Sequence, residues 1–372
     1  MPVTDAVVDH YLDEYAAAYA EDFGRRDRAR WLGVYLRGLL GRGRKNAESL
    51  ARAVDLPPGV QVDDLTQALQ NFVNQSPWDE QKLWRRYRTQ QAARLAAADG
   101  VFVVDEVCIA KQGQQSAGVQ RQFCGLTRRK LNCQLAVTLS YVSRRGSAPL
   151  ALRLYLPRDW LRSPERLAAA GVPPTYWPGA SKSEIALELL DQVRAEGFSA
   201  PIVAARAPYG AAESFRAGLI ERGLRYVLGV NDDLPLDGDG SAAELTRRTA
   251  RRPLCWEPVN GRDRCAHLPV TLPHAAALGT GGLGNPRLLI EEQASGKYRH
   301  ALSLLPDGSA LADAVRAWHT LGDSERIVTR LRALGLDHFE GRSWRGFHHH
   351  ACLVMLAHGY AADVRRTGDS TF

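Results

Sequence analysis

Pro201-Ile-Val-Ala-Ala-Arg-Ala-Pro-Tyr209-Gly210 reads as a short apolar strand that runs into a turn. In α/β enzymes such a strand end is a common place for a catalytic acid, and here the residue standing there is Arg206. Working outward, apolar spacing predicts helices over residues 182–196 and 211–222 on either side, and a further strand at Tyr226-Val-Leu-Gly-Val230. Upstream, Val101-Phe-Val-Val104 reads as a strand. Residues 134–142 and 151–156 read as two more, separated by a turn at Arg144-Arg-Gly146. An antiparallel meander followed by alternating helices and strands predicts an α/β (α+β) fold with a mixed sheet flanked by helices.

The remainder divides by composition. Residues 1–97 are helical in pattern and rich in arginine, with apolar spacing over 11–23, 30–40, 46–54, 64–73 and 78–97 and a break at Gly41-Arg-Gly-Arg44. The last of these segments carries Lys82, Arg85, Arg86, Arg88 and Arg94. Residues 98–231 hold the first part of the sheet. Residues 232–286, rich in Gly and Pro, read as a degraded insertion. Residues 287–372 complete the core, with paired strands over 287–292 and 298–304 and helices over 310–319, 324–334 and 347–362.

Several ordered motifs carry a family likeness. They are Val104-Asp105-Glu106, Lys111-Gln112-Gly113, the run from Ser116 to Gly125 that includes Cys124, Asn132-Cys133-Gln134, and Leu154-Tyr155-Leu156-Pro157 with Trp160. Further on come the 182–188 helix start, the Arg206 strand, Tyr226–Val230, and Gly335-Leu-Asp-His338 with Arg342-Ser-Trp344 and Gly346. In this order they resemble a DDE-type insertion-sequence transposase. The resemblance implies a ribonuclease H-like sheet whose three carboxylates hold two divalent metals for phosphoryl chemistry on DNA. It places the first acid at Asp105, the second at Arg206 and the third at Ser324, next to Glu325. Only the first is a carboxylate, so the resemblance implies ancestry more firmly than cleavage. It also implies a DNA-binding role for the N-terminal helices, with Arg44, Lys45, Arg85, Arg86 and Arg88 as candidate contacts.

Composition fits a globular chain of two or three domains: 372 residues, 45% hydrophobic and 24% charged, with a net charge of +7 dominated by arginine. That excess suits a polyanion, and it equally suits an arginine-rich soluble surface. The six cysteines form no C-x-x-C pair, so neither a zinc ribbon nor a disulfide framework is predicted, and a cytoplasmic setting follows. No export segment and no apolar run of about 18 residues is apparent. His348-His-His350 cannot turn three rings toward one ion from consecutive helical positions, and no metal or other cofactor is predicted. Cys108 stands where the family has glycine; it is either a small core residue or a thiol facing the former metal site.

Two functional readings stand. The first is a domesticated protein that keeps DNA binding and has lost cleavage. The alternative is a metal-independent enzyme with a pocket around Asp105 and Arg206, in which Arg206 grips a small anionic substrate, Asp105 or Glu106 acts as base or orienter, and Cys108, Tyr209 and Glu325 are neighbours. DNA, such a substrate, or a second copy of the chain are the partners these readings allow, and no membrane is among them. Under either reading Arg206 is expected to form an ion pair with Asp105 or Glu106, because their strand ends should converge in a ribonuclease H-like sheet and a buried guanidinium needs a partner.

Overall fold

In the computed structural model, residues 5–366 are described, apart from 57–59, 126, 239, 253–255, 261, 262, 274–279 and 281. Five helices come first: α1 (Asp5–Ala17), α2 (Arg26–Leu40), α3 (Ala47–Ala53), α4 (Leu65–Asn74) and α5 (Glu80–Leu95). Asn46, Asp64 and Asp79 cap α3, α4 and α5, their side chains accepting from backbone N–H groups of the first turn.

Strands β1 (Val101–Ala110), β2 (Gln120–Cys124), β3 (Arg129–Ser143) and β4 (Gly146–Leu154) form an antiparallel set. Short helices α6 (Arg158–Leu161) and α7 (Pro164–Ala169) lead to α8 (Lys182–Ala195). Then come β5 (Ile202–Ala205), α9 (Ala207–Ala211), α10 (Glu213–Glu221) and β6 (Arg225–Val230). β5 pairs parallel to β1, and β6 parallel to β5. The order β4-β3-β1-β5-β6, with three antiparallel strands followed by two parallel ones reached through helices, is the ribonuclease H-like arrangement.

The stretch 232–286, predicted to be a degraded insertion, is built into the structure. It holds a small hairpin, β7 (Pro235–Leu236) and β8 (Gly240–Ser241), helix α11 (Ala242–Thr249), and strands β9 (Glu257–Asn260) and β10 (Asp263–Pro269). With β11 (Pro286–Glu292) and β12 (Tyr298–Leu304) these strands extend the main sheet beyond β6 in the order β12-β11-β10-β9. The gain is backbone pairing: Pro235 and Pro286 open their strands, Pro269 closes β10 and Pro258 lies on the edge strand β9, positions where a sheet tolerates proline.

Helix α12 runs unbroken over Leu311–Ala333, whereas the sequence pattern suggested two helices. Gly322 costs helix stability there, but Leu321 and Ser324 on either side are buried, and tertiary packing overrides the local preference. Helix α13 (Trp344–Arg366) follows. It is almost wholly buried over residues 346–360 and joins the core made by α2, α4 and α5.

Strand β1 is buried on both faces. Phe102 and Val104 pack with Ile185, Ala186 and Leu190 of α8, while Val101 and Val103 pack with Ala314, Ala317 and Leu321 of α12. Side chains alternate along a strand, so Asp105 continues the α12 face, and Glu106 and Cys108 continue the α8 face.

Candidate functional site

Asp105 sits near the middle of β1, and Arg206 immediately follows β5, the strand paired alongside it. Arg206 Nε lies 3.2 and 3.3 Å from the two Asp105 carboxylate oxygens, and its Nη2 lies 2.6 Å from Glu325 Oε1 on α12. Ser324, fully buried one residue earlier, donates its hydroxyl to Asp105 Oδ2 at 3.2 Å. One guanidinium thus joins β1, the end of β5 and α12. Burial alone would lower its pKa, but the charges and hydrogen bonds of Asp105 and Glu325 outweigh that and raise it, so it is a permanent cation.

Glu106 points the other way. Its carboxylate pairs with Lys182 Nζ at 2.7 Å at the start of α8, and that ammonium lies over the Tyr155 ring. Tyr209 is buried, and its hydroxyl pKa is raised well above the ordinary value by burial and by the Glu106 and Asp105 charges. Cys108 does not face Arg206. It lies with Cys124 and Cys133 on the α8 side, and burial, followed by contact with those two thiols, pushes its pKa up. A protonated, buried thiol on the far face of the strand is no nucleophile for the Arg206 cleft. Of the six residues expected to share this cleft, the structure joins Asp105, Arg206 and Glu325. It sets Glu106 and Cys108 on the opposite face of β1, and leaves the Tyr209 hydroxyl within reach of the Glu106 and Asp105 charges. Strand alternation held the signal for that separation, and it also pairs Glu106 with Lys182, a partner the sequence reading missed.

At the three positions where the resemblance places acids stand the Asp105 carboxylate, the Arg206 guanidinium and the Ser324 hydroxyl, a donor set that does not fit two divalent cations. A guanidinium about 4 Å from a divalent ion is repelled by roughly 8 kcal/mol at an effective dielectric near 20. Among the described residues, no group of three or more His, Cys, Asp or Glu is arranged to hold a metal ion. The cleft also does not present a free arginine fork, since Arg206 is already engaged by two carboxylates.

Two of the basic residues expected on a DNA face are buried. Lys45 Nζ donates to Gly41 O and, at 2.9 Å, to Gly38 O, so it caps the end of α2. Its backbone N–H bonds His338 Nδ1, which ties Arg44-Lys45-Asn46 to the Gly335–His338 motif. Arg88 is 2% exposed and makes a bidentate pair with Glu196, with Nη1 donating to Leu150 O. A polyanion reaches neither group. Arg86 is paired with Asp22 and Arg44 with Glu340, and Arg85 is exposed with Glu196 at 4.0 Å. The three consecutive histidines diverge. His348 contacts Trp344 O, His349 contacts Val73 O and Trp78 O, and His350 contacts Tyr35 and Gly335 O.

A ribonuclease H-like sheet whose central strand, neighbouring strand end and returning helix converge on one cleft defines the DDE class of polynucleotidyl-transfer folds. The chain belongs to the DDE superfamily endonuclease family, whose model matches residues 18–280, more than half of its length. That span contains Asp105 and Arg206 and stops before Ser324. The chain is also 28% identical over 192 residues to the probable transposase for insertion sequence element IS701 of Microchaete diplosiphon. That alignment takes in 51% of this chain and 45% of the relative, so this chain spans about half the relative's length. A cryo-EM structure of the piggyBac transposase synaptic complex with hairpin DNA superposes over 98% of this chain and 68% of that one. Its 13% identity and TM-score of 0.42 add nothing to the strand order described above. No helix among the described residues is long and apolar enough to cross a membrane.

Proposed function

We propose that this chain is a transposase-family protein that binds DNA without cutting it. The observation that carries the reading is Arg206, a permanent cation bridging Asp105 and Glu325 at the position where a two-metal mechanism needs a carboxylate. Family membership and the basic net charge support DNA as the partner. The alternative, a pocket that grips a small anion through Arg206, is disfavoured because Asp105 and Glu325 together outweigh the single positive charge.

The test uses the full chain with supercoiled plasmid in magnesium or manganese, and labelled duplex DNA at several salt concentrations. The expected result is intact plasmid together with duplex binding that weakens steeply with salt. Nicking that disappears in Asp105→Ala would overturn the non-cleaving half of the reading. Absence of duplex binding at about 50 mM salt would overturn the other half.

A further inference from the structure

We infer that the β2–β3 hairpin is a DNA-contacting arm that enters the major groove of duplex DNA; the inference rests on the DNA-binding reading above. β1 pairs with β3 only as far as Ala110 opposite Cys133, whereas β2 pairs with β3 from Cys133 back to Arg129. Arg129, Lys130 and Leu131 therefore belong to a two-stranded ribbon that overhangs the sheet. Lys130 lies eight residues along β3 from Thr138, the partner of Asp105. At strand rise that is about 27 Å from the cleft. Asn132 braces the base of the arm, with its amide donating to Lys111 O and Gly113 O at 2.7 and 2.9 Å.

The ribbon's surface is cationic with an aromatic centre. Arg121, Arg128, Arg129 and Lys130 are all exposed, and no carboxylate among the described residues holds any of them. Arg86, Arg88, Arg153, Arg206 and Arg222, by contrast, are each held by a carboxylate. Phe123 is 56% exposed and lies directly across from Lys130. Only one other large hydrophobic residue among those described, Tyr11, is exposed to that degree. Strand alternation sets Phe123 on one face with Arg121 and Lys130, and Arg129 on the other; a solvated ring flanked by unpaired cations contributes nothing to a core, and it complements a polyanion that also offers apolar surface.

B-form DNA offers both. Its major groove, about 12 Å wide, admits a two-stranded ribbon, its walls are phosphate, and its floor carries thymine methyl groups that a phenylalanine contacts. The major groove of A-form RNA is too deep and narrow for the same entry.

The experiment measures binding of the full chain to a 30-base-pair DNA duplex, and to an RNA duplex of the same sequence, between about 50 and 500 mM salt. The variants are Arg121→Gln/Arg128→Gln/Arg129→Gln/Lys130→Gln, combined in one chain, and Phe123→Ala. Four phosphate contacts predict that the combined variant loses about a thousandfold in affinity near 0.1 M salt and that its salt slope falls by three to four. Phe123→Ala should lose about tenfold with the slope unchanged, since the lost term is apolar burial. Thermal unfolding should match wild type for both, because these side chains are exposed. If wild type binds DNA and the combined variant binds with the same affinity and slope, the arm is wrong and the DNA reading stands. If wild type binds no duplex at the lowest salt, the DNA reading falls and the arm with it. Equal, hairpin-dependent binding to the RNA duplex would overturn the major-groove assignment.

Discussion

Arg206 does for the cleft what a cation does in a metal site: it holds carboxylates from two elements together. Asp105 is 7% exposed and would otherwise keep Ser324 and its own neighbouring backbone N–H as its polar partners. Arg206 is about one third exposed, which places the pair between a surface ion pair and a buried one. Arg206→Ala is expected to lower stability by about 1–3 kcal/mol in urea denaturation. Arg206→Lys should recover only part of this, because one ammonium cannot reproduce the forked contact. A stronger test runs in the other direction. Arg206→Asp combined with Ser324→Glu restores carboxylates at all three positions around the convergence of β1, β5 and α12. The double variant should bind manganese in a calorimetric titration where wild type does not, and neither single variant should match it, since two ions need ligands from all three positions. A folded double variant without manganese affinity would show that the cleft has diverged beyond these two side chains.

At the scale of elements, two contacts decide where helices sit. Arg88 on α5 reaches both Leu150 O on β4 and Glu196, just past α8. Arg88→Ala leaves the half-buried Glu196 carboxylate with only the exposed Arg85 nearby and should cost about 3 kcal/mol. Arg85→Ala, one turn away and exposed, should stay within about 0.5 kcal/mol. Both are read by chemical denaturation. The sequence held the signal for this difference: Leu83, Trp84, Tyr87, Gln91 and Leu95 mark the buried stripe of α5, and position 88 lies inside it. Counting basic residues along the helix overlooked the stripe. Gly210 is the second contact, since a Cβ there would meet Gly229 O at 1.9 Å where α9 crosses β6. Gly210→Ala should therefore cost about 1–3 kcal/mol and displace Arg206, four residues earlier. A melting temperature equal to wild type would show that α9 yields freely. The Tyr-Gly pair after the strand was legible as a motif, but the reason for its glycine appears only once β6 is placed against α9.

Across the whole molecule, the core that unites the N-terminal helices with α13 draws together residues nearly the full chain length apart, such as Leu12 and Val364. No local periodicity reports such a contact. Sequence alone could mark α13 as apolar without saying what it packs against, and it could not reveal that the sheet continues through β9. Two buried histidines of this core, with a half-buried one on β10, give the fold a pH signature. His348 donates from Nδ1 to Trp344 O and accepts from the Leu154 N–H, near Glu80 and Arg153. His350 lies between Tyr35 and Gly335 O, with Lys111 and His338 nearby. His267, on β10, contacts Ser303 beside Arg287. Burial lowers each of the three to about 4; neighbouring positive charge adds to the effect, and at His348 the Glu80 carboxylate opposes it. In the unfolded chain each takes up a proton near pH 6.5, so between pH 6.5 and 4 the unfolded state binds more protons and stability rises with pH. The contribution is complete above pH 6.5 and is lost as pH falls toward 4, by up to roughly 3 kcal/mol for each histidine. Unfolding free energy from urea titrations should thus drop steeply between pH 7 and 4.5, with a slope approaching three protons. His350→Gln, which keeps a donor and an acceptor without the titration, should reduce that slope by about one. A variant with an unchanged slope would mean that His350 is already protonated in the fold, with Tyr35 accepting from its ring.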